Sequence, residues 1–177
     1  MRGNGLHAPP LIHSWLVFIA VIPQLLVFQI PATGKWVPLF WVKAILIGSQ
    51  ALLLGFVWSN RKSPGVWLLG LGLGLNVLVI LINGGLMPIS PEAASRVYPA
   101  TPPQAWTIGN RLGLGKDILL AESETRLGIL SDRFHLPAWF PYRAAFSVGD
   151  ILIAFGVFQL FWSAGRISED DQIKRFS

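Results

Sequence analysis

The chain has no cysteine among its 177 residues, which excludes disulfides, thiolate catalysis and cysteine-ligated metal. Charge is scarce as well. Asp, Glu, Lys and Arg together make up 13% of the residues, whereas 53% are hydrophobic. An average soluble domain carries about 25% charged residues, so an ordinary water-facing surface cannot be built from this composition. The histidines are His7, His13 and His135, too dispersed for a ligand spacing, and no metal site is expected. The period-two alternation of barrel strands is also missing.

Long apolar runs take the place of these features. Residues 11–30, 39–58, 66–83 and 148–163 meet or approach the roughly 20 apolar residues that a helix needs to cross a hydrocarbon core of about 30 Å. In lipid such a run must satisfy its backbone internally, so each is predicted to be a helix. Pro9-Pro10, Pro38, Ser63-Pro64 and Ser147 mark the four starts, and Pro23 predicts a kink in the first run. The expected fold is an all-α membrane protein: a four-transmembrane-helix bundle forming one domain over 1–177. A long extracytoplasmic Pro-rich segment, 86–147, joins helices three and four, and 164–177 is a cytoplasmic tail.

Basic residues orient the bundle. Arg61 and Lys62 fall between the second and third runs, Arg2 precedes the first, and Arg166, Lys174 and Arg175 follow the last. These would share the cytoplasmic side, with both termini, in a bacterial cytoplasmic membrane. Trp15, Trp58, Trp67 and Trp162 then mark the inner boundary, and Trp36 and Trp41 the outer. The net charge of +5 is accounted for by orientation and attraction to anionic lipid heads, so the bilayer, not nucleic acid, is the expected partner.

Two glycine-rich strings lack the features of nucleotide loops. GNRLGLGKD, 109–117, has the wrong glycine spacing for a phosphate-cradling loop and Asp117 where a Ser or Thr is required. GLGLGLN, 70–76, lies within a membrane run, where Gly70 and Gly74 suggest a small-residue packing face. No cofactor is expected. In the long segment, Ser90-Pro91-Glu92 predicts a short helix running toward Val97. ILLAESETRLGILSDRF fits either a surface helix or a strand and turn. LPAWFPYRAAF fits either a stretch on the outer leaflet or a small loop with an aromatic core.

Polar residues at membrane depth are costly and invite a functional reading. Gln29, Lys43, Asn83 and Asp150 all fall near the same outer boundary, where they would form a polar cluster, either as hydrogen-bonding glue between helices or as a pocket. Lys43 is close enough to the helix end to snorkel. Asp150 also completes the capping box Ser147-Val148-Gly149-Asp150, which is a sufficient local reason for its charge.

NGGLMPIS from Asn83 and TRLGILSDRFHLP…FSVGDILIAFG resemble a family of bacterial integral membrane proteins of unknown function over most of the chain. That resemblance implies a multi-helix membrane protein and no particular activity. Asp132 in SDR and Asp150 in FSVGD are in part similar to the two aspartates of signal peptidase II. This second resemblance implies a dyad that shares one proton as acid and base, with Asn83 or Lys43 as polar support. The leading expectation is a non-enzymatic scaffold, assembly factor or subunit associated with other membrane proteins. The alternative is an aspartyl peptidase using Asp132 and Asp150.

Overall fold

The structure is a computed structural model that describes residues 11–137 and 139–176, the last thirteen of these by backbone alone. The Pro9-Pro10 start, Arg2, His7 and the charges of the tail lie outside the described side chains. The protein is mostly helical. Four long helices arise from the four apolar runs: α1 (Trp15–Phe28), α3 (Leu39–Ser59), α4 (Val66–Ile82) and α6 (Val148–Phe176). A single turn, α2 (Pro31–Gly34), separates the first two. Among the described residues, α3 is the one helix long and apolar enough to cross a membrane by itself. The others have apolar stretches of 10–17 residues. The first helix is shorter than the run that predicts it, because His13 adopts a left-handed φ of 57° before it and Pro31 starts a new turn after it.

The helices pack in the order α1, α3, α4, α6, each antiparallel to the last. Asn60 ties the end of α3 to the start of α1: its Oδ1 accepts from the Ile12 amide at 2.7 Å and its Nδ2 donates to the Ile12 carbonyl at 2.8 Å. Midway, Gln24 Nε2 donates to Ser49 Oγ at 2.5 Å.

The closest helix contact is between α4 and α6. A Cβ at Gly72 would strike the Gly149 carbonyl and come within 2.9 Å of the Ile153 amide. One at Gly65 would strike the Gly156 carbonyl and the Leu160 amide, and one at Gly156 would lie 2.8 Å from the Gly65 carbonyl. Each helix thus offers two glycines seven residues apart, and antiparallel packing brings Gly65 against Gly156 and Gly72 against Gly149. This corrects the packing face expected at Gly70 and Gly74. Gly70 meets Val57 of α3 instead, and Gly74 faces open space.

One apolar core lies where α1, α3 and α4 meet the following strand: Val27, Val42, Leu46, Val79, Ile80, Leu86 and Met87. A second, around Val57, Val66, Leu73 and Leu160, fills the opposite end. Outward faces of all four helices nonetheless remain apolar, with Phe18, Phe40, Trp67, Leu71, Phe155 and Phe161 exposed.

Residues 86–147 fold into a cap over one end of the bundle. The turn Gly84-Gly85, with φ of 84° and 95°, releases the chain from α4 into β1 (Met87–Ile89). Ser90 then caps α5 (Pro91–Val97), accepting from the Ala93 amide at 3.2 Å, as the sequence predicts. β1 pairs in parallel with β2 (Asp117–Leu119), in the register Met87 to Asp117. A parallel bridge joins Ile89 to Asp132, whose amide donates to the Pro88 carbonyl at 3.1 Å. The stretch left open between surface helix and strand is therefore β2, turns and a 3-10 turn at Gly128–Leu130. A small antiparallel pair, β3 (Phe134–His135) with β4 (Ala145–Phe146), leads into α6. Ile89, Ala93, Ala94, Leu112 and Leu119 form the core of the cap.

Candidate functional site

The capping box at the head of α6 forms in both directions. The Asp150 amide donates to Ser147 Oγ at 3.1 Å, and Asp150 Oδ2 accepts from the Ser147 amide at 2.9 Å. Asn76, in the middle of α4, completes it. Its Nδ2 donates to Asp150 Oδ1 at 2.8 Å, and its Oδ1 accepts from the fully buried Ser147 hydroxyl at 2.8 Å. Oδ1 of Asp150 thus holds α6 to α4, while Oδ2 closes the cap on Ser147.

Asp132 is used differently. The bridge to β1 buries it almost completely, at 1% exposure, and Lys116 Nζ donates to its Oδ2 at 2.6 Å. Asp117 flanks the same ammonium at 3.8 Å, too long for a hydrogen bond. Its carboxyl and that of Asp132 are close enough to act on each other's charge. Asp150 adds its field from the side. Burial works against the Lys116 charge, but Asp132, Asp117 and Asp150 outweigh it and raise its pKa. Burial drives the Asp132 carboxyl the other way, up to about 7, with Asp117 and Asp150 adding to the rise and Lys116 opposing it. Asp117 is raised too, first by burial, against the pull of Lys116. Three carboxylates thus face the Lys116 ammonium, with Arg111 also acting on Asp117, and Oδ1 of both Asp117 and Asp132 is buried with no hydrogen-bond partner.

Lys116 and Asp117 form the floor of a cleft of about 720 Å³ between α1 and the lead-in to α6. Val21, Leu25 and Phe28 supply an apolar wall, and Tyr98, Gln29 and Arg143 surround the polar end.

Of the residues the sequence singles out, Gln29 lines this cleft. Asn83 instead joins the bundle to the cap: its Oδ1 accepts from the Arg126 amide at 3.0 Å and its Nδ2 donates to the Arg126 carbonyl at 2.9 Å. The Lys43 stem lies against Gly85, where a Cβ would come within 3.1 Å of its Cδ. Among the described residues no hydrogen bond joins Gln29, Lys43 and Asn83 to one another, and none joins Asp132 to Asp150. Sequence reasoning missed Lys116, Asp117, Asn76 and Arg143. Asn76 carried a readable signal, as an amide in the middle of an apolar run. Lys116 and Asp117 did not, since their meeting with Asp132 depends on a strand pairing across the cap.

Fold and cleft together define a mostly helical protein with, among the described residues, one helix fit to cross a membrane and a charged cleft under a small mixed cap. The chain belongs to a family of unknown function, DUF5317, which matches residues 9–162. It is also similar to an uncharacterised protein of Thermotoga maritima, 30% identical over 141 residues that cover 77% of this chain and 73% of the relative. No solved structure matches it. Neither the family nor the relative carries a peptidase assignment.

Proposed function

We propose that this is a four-span protein of the bacterial cytoplasmic membrane, both termini cytoplasmic, serving as a non-enzymatic subunit or assembly factor with its cap on the outer face. The observation that carries this reading is the apolar outward face of every long helix. Phe18, Ile22, Phe40, Leu71, Leu78, Phe155 and Phe161 are exposed, a surface that water would penalise and lipid would not. The shorter helices fit if the bilayer thins locally or if flanking tryptophans extend the apolar span. Trp15, Trp41, Trp58 and Trp67 are exposed near helix ends, as an interfacial belt requires.

The aspartyl-peptidase alternative finds less support. A dyad must free a carboxylate to activate water, whereas Asp150 is spent on the helix cap and Asp132 on Lys116.

Because the chain has no cysteine, single cysteines report sidedness directly. Glu122→Cys in the cap is expected to react with a membrane-impermeant maleimide on intact cells, and Lys62→Cys between α3 and α4 only after permeabilisation. Labelling of both from one side sinks the topology. Purification in mild detergent is expected to recover a stoichiometric membrane partner, and a lone monomer would remove the subunit role.

A further inference from the structure

The cleft between α1 and the lead-in to α6 has two kinds of wall. Val21, Leu25 and Phe28 of α1 form an apolar strip, and the exposed residues that continue its helix, Phe18 and Ile22, carry the same character outward. At the polar end, Asp132, Asp117 and Asp150 face the Lys116 ammonium, with Arg111 also acting on Asp117, which leaves one carboxylate in excess that a further cation would offset. Asp117 lines the cleft with a carboxylate that is 15% exposed and accepts no N–H hydrogen bond among the described residues, its Oδ1 being turned away from the opening. Arg143 lines it too, exposed, with no hydrogen bond or ion pair to its guanidinium among the described residues. An acceptor in need of an N–H donor and a free guanidinium thus share one opening, at the end of an apolar strip.

A zwitterionic head with a primary ammonium and a phosphate, joined to an acyl chain, matches all three parts. We propose that the cleft binds an aminophospholipid, its ammonium donating to Asp117, its phosphate paired with Arg143 and one chain lying along Val21, Leu25 and Phe28. This rests on the membrane reading given above. A volume of about 720 Å³ accommodates the head and the upper part of a chain. Phosphatidylglycerol brings the phosphate to Arg143 but leaves the acidic floor without a cation. Phosphatidylcholine brings a cation that has no N–H to give, so the Asp117 carboxylate gains no hydrogen bond.

The test uses the full chain reconstituted in vesicles of phosphatidylethanolamine, phosphatidylglycerol and phosphatidylcholine in equal parts. After gentle extraction, the retained lipid is read by native mass spectrometry. Phosphatidylethanolamine is expected to be retained about tenfold over either competitor. Asp117→Asn and Arg143→Gln are each expected to cut that preference by about tenfold, and Glu122→Gln, away from the cleft, to leave it unchanged. Arg143 is exposed and unpaired, so its variant tests the idea even if Asp117→Asn fails to fold. Equal retention of the three lipids overturns the proposal, as does an Arg143→Gln protein that keeps the full preference. Displacement by glycerophosphoethanolamine as effective as by the intact lipid overturns the acyl part. A lipid-free dimer, with a second copy seated in the cleft, also overturns it. Failure of the sidedness labelling strikes the membrane reading, whereas correct sidedness with unselective retention removes this inference alone.

Discussion

Asn76 is the residue through which α4 holds the head of α6, and its amide satisfies two groups at once, the Ser147 hydroxyl and Asp150 Oδ1. Asn76→Leu strands Asp150 Oδ1, while the Ser147 hydroxyl keeps Asp150 as its partner, and an unsatisfied buried polar group costs about 1–3 kcal/mol. Ser147→Ala loses a helix cap worth about 1 kcal/mol along with its bond to Asn76. Thermal melting in detergent is expected to show a lowered midpoint for both variants, and a wild-type midpoint for Asn76→Leu would refute the network. Asp132 supplies a second measurement at this scale. Its folded carboxyl keeps a proton up to about pH 7, against an ordinary value of 3.8. The folded state therefore binds more protons than the unfolded chain across that interval. The stability linked to Asp132 is complete below about pH 4 and is lost as the pH rises toward 7, the reverse of a carboxylate stabilised in its charged form. Asp117 is raised and acts with the same sign. The raised Lys116 stays charged throughout and adds no slope there. The melting midpoint of wild type minus that of Asp132→Asn is expected to fall between pH 4 and pH 7, and a rise would overturn the assignment. Of these residues, Ser147 and Asp150 were legible because both partners of a capping box lie within one turn. Lys116 and Asp132 are sixteen positions apart, and only β1, wedged between their strands, brings them to 2.6 Å.

The seam of α4 and α6 is built by heptad-spaced glycines, and it differs from its surroundings in having no room for a side chain. Gly72→Val would drive a branched side chain into the Gly149 carbonyl and Ile153, overpacking that costs about 1–3 kcal/mol or more. Gly65 is doubly constrained, since its φ of 78° disfavours any side chain even before the collision with Gly156. Gly74→Ala, two residues beyond Gly72 and facing open space, is expected to be neutral or to stabilise by about 0.5–1 kcal/mol through helix propensity. Parallel melts of the two variants decide: equal losses would mean that the seam does not depend on close backbone approach. Glycine spacing in the sequence offered several faces on α4. The one in use was readable only by matching Gly65 and Gly72 to Gly149 and Gly156, a comparison between two helices about 80 positions apart, not within one.

At the scale of the whole molecule, the aromatic stretch before α6 tests how the cap meets its surroundings. Trp139 and Tyr142 are 81% and 74% exposed, so the small aromatic core that the sequence allowed is not what these rings form. Each packs against the Phe140 ring, and together they form an exposed aromatic surface suited to lying at a lipid boundary. A spin label at Tyr142→Cys in liposomes is expected to relax faster with oxygen than with a water-soluble nickel chelate. The reverse order would mean that the stretch faces water. The sequence by itself determined the four helices and the starts of α3, α4 and α6, because apolar runs, prolines and caps act within a few residues, where backbone bonding and sterics decide. It also determined the start of α5. The tertiary structure alone decided which glycines touch and where Asp132 finds its cation. It also made a cleft between α1 and the lead-in to α6, since each of these is a coincidence of distant segments set by packing and strand register.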